Sequence, residues 1–115
     1  RLDFCLQGPQ GLHLVEVKGV TLENGGHALF PDAPTERGVR HLRELASAVA
    51  LGHRATVFFV IQMAEVTDFA PNDATPPAFG AALRQAVAAG VQAAAYTCRV
   101  TPDSIVIDRP VPVIL

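Results

Sequence analysis

No stretch of this 115-residue chain is long and apolar enough to span a membrane, and no signal-peptide pattern appears in it. Charge is sparse as well. Nine Lys and Arg against eleven Asp and Glu leave a formal net charge of −2. That balance supplies no global basic footprint, so any nucleic-acid contact has to come from a local patch. Cysteine is scarce: Cys5 and Cys98 stand alone, with no nearby Cys or His at ligand spacing for a metal. Without a secretory signal, the two fit packed thiols in a reducing cytoplasm better than a disulfide framework. Repeats, low-complexity tracts and an internal domain boundary are also missing. What remains is hydrophobic: half the residues, enough for one domain with a real core. Because the chain opens at Arg1 directly in a strand-like pattern, it reads as a fragment of a longer protein.

The most informative stretch is LHLVEVKGVTL, Leu12 to Leu22. In a strand the side-chain period is two, so Glu16 and Lys18 share one face and Val15 and Val17 the other. A carboxylate and an ammonium in an apolar strand cost desolvation unless something uses them. Upstream, Leu2 to Leu6 alternates, and Gly8-Pro9-Gln10-Gly11 is a turn signal. The two runs therefore form an antiparallel hairpin. With residue 8 opposite residue 11, Asp3 lies across from Glu16, and Leu2, Phe4, Val15 and Val17 form the apolar face. Like charges placed directly opposite are destabilising. A divalent cation between them reverses that sign, and one or two carboxylates plus water are what Mg²⁺ takes. Lys18 on the same face suits a developing negative charge or an attacking water.

Glu23 to Gly38 reads as a long irregular loop of the kind that is often functional, with Leu29 and Phe30 as anchors. A helix over Glu36 to Leu51 follows, N-capped by Thr35 and stopped by Gly52. Val39, Leu42, Leu45, Ala46 and Val49 form its apolar face, and Arg37, Arg40, His41 and Glu44 the polar one. Ala55 to Met63 suits a central strand covered on both faces, with Gln62 buried near its end. Ala64 to Pro77 is loop, Thr75-Pro76 starts a second helix to Ala89, and Gly90 stops it. Strands over Val91 to Val100 and Ile105 to Ile107 close the chain, with Pro110 and Pro112 keeping the tail from a sheet centre. The order β-β-α-β-α-β-β predicts an α/β domain: one mixed sheet flanked by helices.

Asp3 followed by Glu16-x-Lys18 on the next strand resembles the core of the PD-(D/E)XK nuclease-like superfamily, the restriction-endonuclease-like fold. RLDF, VEVKGVTL, ALFPDAPTERGVRHL, FFVIQ, FAPN and ALRQAVAAGV together resemble the C-terminal part of the sugar fermentation stimulation (SfsA) family over essentially all 115 residues. The resemblance implies a nuclease-like domain preceded by a helix and an N-terminal OB-like domain, neither within this chain. It implies Asp3 and Glu16 as ligands of Mg²⁺ or Mn²⁺, and Lys18 as the catalytic lysine with Asp3 and Glu16. It further implies DNA as partner and a link to regulation of sugar metabolism genes, with FPDAPTERGVRH lining the site.

Two functional readings follow: a metal-dependent nuclease, or a non-catalytic DNA-binding regulator that keeps the nuclease-like fold. A plain protein-interaction module is the third option, predicting neither metal nor DNA. At the residue level the alternatives are equally concrete. Arg37, Arg40 and His41 are either a phosphate-contacting face or a solvated one. Asp32, Glu36 and Gln62 either support the site or serve as a turn terminator, a helix-dipole partner and a core amide. His13, His27 and His53 carry no specific signal.

Overall fold

The computed structural model describes every residue except Arg1, Leu2, Gln10 and Pro76. The expected places of Leu2 on the apolar face, Gln10 in the turn and Pro76 at a helix start lie outside the described residues. The elements run β1 (Phe4–Gly8), β2 (Gly11–Val20), β3 (Leu22–Asn24), β4 (His27–Phe30), α1 (Glu36–Ala50), β5 (Arg54–Ile61), β6 (Asp68–Pro71), α2 (Ala78–Ala88), β7 (Gln92–Thr101) and β8 (Ser104–Val111). Every predicted element is present, and three further strands lie in the stretches read as loop. They make a second sheet where one was expected: β1-β2-β5-β7-β8 is five-stranded, and β3-β4-β6 three-stranded. Both are mixed, with β2-β5, β5-β7 and β4-β6 parallel and the other pairs antiparallel. Among the described residues, no helix is long and apolar enough to cross a membrane.

The first hairpin has the expected register, pairing Phe4 with Val15 and Gly8 with Gly11. β1 starts later than predicted, so Asp3 lies just outside it. The β3–β4 hairpin turns on Gly25 (φ 59°) and Gly26 (φ 87°), a two-residue loop with both φ positive. That geometry matches the twist of paired strands and is open to glycine at little cost. Glu23 Oε2 accepts from the Gly26 N–H at 2.7 Å and fixes the turn.

α1 begins where the cap predicts, with the Gly38 N–H donating to Thr35 Oγ1 at 2.9 Å. Its buried residues are Gly38, His41, Leu42, Leu45 and Ala48. The buried stripe is therefore turned toward His41, away from the predicted centre between Leu42 and Val49. Gly38 lets the first turn of α1 close on Phe79 of α2, and His41 is admitted to the buried stripe because polar partners await it.

Both helices pack on one face of the five-stranded sheet. Ala55, Val57, Phe59 and Ile61 of β5 are buried there, while Thr56, Phe58 and Val60 opposite are only half-buried. The expectation of a β5 covered on both faces is thus corrected: its continuous apolar run serves one helix-covered face and one open face. Phe58 and Tyr96 meet on the open face at 5.3 Å. Phe4 and Leu6, 55% and 57% exposed, lie at its edge. The core is aromatic, with Phe59 stacked on Phe69 at 4.2 Å and Phe30 edge-on to Phe79 at 5.0 Å. Pro110 sits within β8, where an edge strand tolerates a missing donor.

Cys98 is buried as expected, whereas Cys5 is exposed on β1, an edge strand. Burial pushes the Cys98 thiol up, and the negative charge of Asp108 acts in the same direction. A raised pKa holds the thiol in its unreactive protonated form. A maleimide should therefore label Cys5 in the native protein and Cys98 only after unfolding. Rapid native labelling of both, read by mass spectrometry, would contradict this packing.

The two faces also predict unequal sensitivity to mutation. Phe59→Ala should cost about 3–5 kcal/mol in urea unfolding. Phe4→Ser or Leu6→Ser should change stability by no more than about 0.5 kcal/mol.

Candidate functional site

β2 carries alternate side chains into the layer between sheet and helices. Val20 there is apolar, but Glu16 is not, and it is buried. Because β2 is two residues per repeat, Lys18 rises on the same side, and α1 lays His41 across both. Glu16 Oε2 accepts from Lys18 Nζ at 3.0 Å and lies 2.8 Å from His41 Nδ1. Lys18 Nζ and His41 Nδ1 are 3.0 Å apart. Side-chain exposures of 4% for Glu16, 12% for Lys18 and 9% for His41 place the cluster out of bulk water. His41 Nδ1 has either one proton or one lone pair, so it donates to Glu16 or accepts from Lys18.

Both neighbours converge on Oε2. Glu16 Oε1 is buried with no partner among the described residues. Leaving such an acceptor unmade costs about 1–3 kcal/mol, more for a charged group. Asp3 approaches from the first hairpin, its Oδ2 accepting from the Val17 N–H at 2.7 Å. That bond fixes Asp3 just beyond the end of β1. The register carried one residue past Phe4 sets it across from Glu16.

Asp3, Glu16, Val17, Lys18, Arg37, Arg40 and His41 line one cleft of about 590 Å³. All six side chains predicted for metal, catalysis or phosphate contact are thus brought together. His41 is corrected in position. It is not on the exposed polar face with Arg37 and Arg40 but buried beneath the carboxylate. The residues expected around the site fall elsewhere. Glu36 lines an adjoining cavity of about 390 Å³ with Pro31, Val39, Arg40 and Phe79, so that Arg40 borders both. Asp32 is exposed on its loop. Gln62 is exposed rather than buried, because its strand ends at Ile61 and its amide lies over Gly19 on the opposite sheet face. Sequence reasoning missed the Val17 N–H, since backbone donors leave no sequence signal. Among the described residues, no three His, Cys, Asp or Glu groups are clustered closely enough to form a metal cage. The available carboxylates at the cleft are the Asp3 and Glu16 pair.

A mixed α/β domain with a carboxylate–lysine–histidine cluster in an arginine-rimmed cleft is the class that fold and site define. The family model described as "Sugar fermentation stimulation protein RE domain" matches residues 1–104. The chain belongs to this SfsA family. It is 59% identical over 105 residues to the sugar fermentation stimulation protein homolog of Desulfitobacterium hafniense (strain Y51), covering 91% of this chain and 46% of that protein. With the Geobacter sulfurreducens homolog it shares 53% identity over 114 residues, 99% of this chain and 49% of that protein. The chain therefore spans about half the length of the curated relatives it matches. The solved structure of Pyrococcus furiosus SfsA in complex with Ca²⁺ superposes with a TM-score of 0.93 at 30% identity, over 100% of this chain and 50% of that one.

The cluster should be costly to break. Lys18→Ala leaves Glu16 buried beside His41 alone and should lower unfolding stability by about 3 kcal/mol. Arg84→Ala removes an ion pair with Asp73 in which both side chains are more than 40% exposed. It should cost at most about 1 kcal/mol. Equal losses in urea unfolding would mean that the cluster is hydrated like a surface pair.

Proposed function

We propose that this chain carries a divalent-metal-dependent phosphodiesterase site of the PD-(D/E)XK kind, within a DNA-binding protein. The observation that carries the reading is Glu16 Oε1, a buried carboxylate oxygen with no partner among the described residues, in a cleft that also contains Asp3. Hard cations take such oxygens, and two carboxylates completed by water suit Mg²⁺ or Mn²⁺. The related P. furiosus protein is solved with Ca²⁺, another hard cation. Asp3 and Glu16 would hold the ion. When bound, it would lower the pKa of a coordinated water and offset charge on a phosphoryl oxygen.

The chain's own residues supply the remaining functions. Lys18 sets a cation beside Glu16, where negative charge grows on the non-bridging oxygens during in-line attack. Arg37 and Arg40, exposed on the first turns of α1, meet the flanking phosphates, and their planar forks suit bidentate contact. His41 makes no phosphate contact in this scheme.

The test is cleavage of plasmid and single-stranded DNA by the full-length protein, with Mg²⁺ or Mn²⁺ and with chelator. Cleavage should need the metal and fall at least a hundredfold in Glu16→Ala. Metal-independent cleavage, or equal cleavage by that variant, sinks the nuclease reading. Binding without any cleavage leaves the non-catalytic regulator. For the arginine rim, the slope of log K against log salt should flatten by about two in the Arg37→Ala/Arg40→Ala double variant. An unchanged slope removes α1 from the DNA contact.

A further inference from the structure

We infer that His41 is a positioning residue for Glu16: its ring holds Oε2 so that Oε1 becomes the ligand atom offered to a divalent cation. The inference deepens the metal reading above and rests on it. A glutamate side chain has three torsions, and Lys18 has four, so an ion pair between them alone can form through either carboxylate oxygen. Lys18 therefore does not select which oxygen is left over. His41 does. Its short side chain has two torsions, and it belongs to the buried stripe of α1, anchored next to Leu42 and Leu45. From there Nδ1 reaches Oε2 at 2.8 Å, the oxygen that also accepts from Lys18. Two groups thus converge on Oε2, and Oε1 has no partner among the described residues although it is buried.

This arrangement has the logic of residues that orient a metal ligand from behind, whose loss typically lowers metal affinity about 10–100-fold. It also accounts for a histidine in a helix face that packing would otherwise fill with an aliphatic residue. A hydrophobic side chain there would leave Oε2 with Lys18 alone and free the carboxylate to turn.

The experiment is Ca²⁺ titration calorimetry on the full-length protein and its His41→Ala, His41→Asn and His41→Gln variants, with folding checked by circular dichroism. The amide nitrogen of asparagine falls near the place of Nδ1, whereas that of glutamine reaches beyond it. Dissociation constants should rise at least tenfold in His41→Ala and His41→Gln and stay within threefold in His41→Asn. Wild-type affinity in His41→Ala overturns the inference. So does an asparagine variant as weak as the glutamine one, a comparison that stands even if the alanine variant does not fold. A second readout needs no metal: in crystal structures without Ca²⁺, Glu16 should keep its rotamer in His41→Asn and turn from it in His41→Gln. An unmoved Glu16 in both overturns the positioning role. Failure of the wild-type protein to bind Ca²⁺ overturns the metal reading, and with it the ligand role of Oε1, while the metal-free structures decide the positioning separately.

Discussion

A carboxylate buried between a sheet and its covering helix is the constraint to which much of this domain answers. Glu16 occupies the same layer as Val57, Phe59 and Ile61, where an unpaired charge would be prohibitive. Two residues supply its compensation, and they come from different directions. Lys18 is fixed by the period of the strand. His41 arrives after a hairpin, a loop and a helix start, so the helix must be set down at one rotation for the bond to form. An apolar interface alone tolerates some sliding; an ion cluster with contacts of about 3 Å does not. The cluster thereby fixes the seating of α1 on β2 as well as the geometry of the cleft. That seating places Arg37 and Arg40, one turn apart, on the cleft rim.

The parts of this architecture that were legible in the sequence are those governed by local periodicity. The two-residue period put Glu16 and Lys18 together, the Gly8–Gly11 turn set the register that brings Asp3 opposite, and Thr35 marked the helix start. The parts that were not legible depend on what packs against what. His41 reads as polar-face on a helical wheel because hydropathy scores a residue by its solvent preference, not by its partners. Its partners are 25 and 23 residues away in sequence. The β3–β4 hairpin did have a local signal, Gly-Gly between two apolar runs, and reading the whole segment as loop overlooked it. Strand β6, four residues ending in Pro71, has almost none, and it exists because β4 offers it a parallel edge. Gln62 departs from expectation for a related reason: an apolar run says that a strand is buried somewhere, not where burial ends.

The open face of the five-stranded sheet illustrates the same limit. Phe58 and Val60 are as apolar as Phe59 and Ile61, yet only the latter pair lies beneath the helices. Continuous hydrophobicity predicts two covered faces, and the alternating burial of β5 reports one. The cleft lies on the helix side, between the first hairpin and the start of α1. This placement gives Asp3 its access to solvent while Glu16 remains buried.

That asymmetry between the two carboxylates also resolves an electrostatic difficulty. The chain as a whole is formally −2, which repels a polyanion. Around the cleft, however, three permanent cations, Lys18, Arg37 and Arg40, face two carboxylates. Lys18 pairs with Glu16, so the field at the rim is that of the two arginines, opposed mainly by exposed Asp3. A divalent cation between Asp3 and Glu16 would exceed that opposition and leave the whole cleft positive. On the proposed reading, attraction for phosphate and affinity for metal would be two consequences of one arrangement, in which a buried acid is neutralised from behind and an exposed one is left facing the solvent.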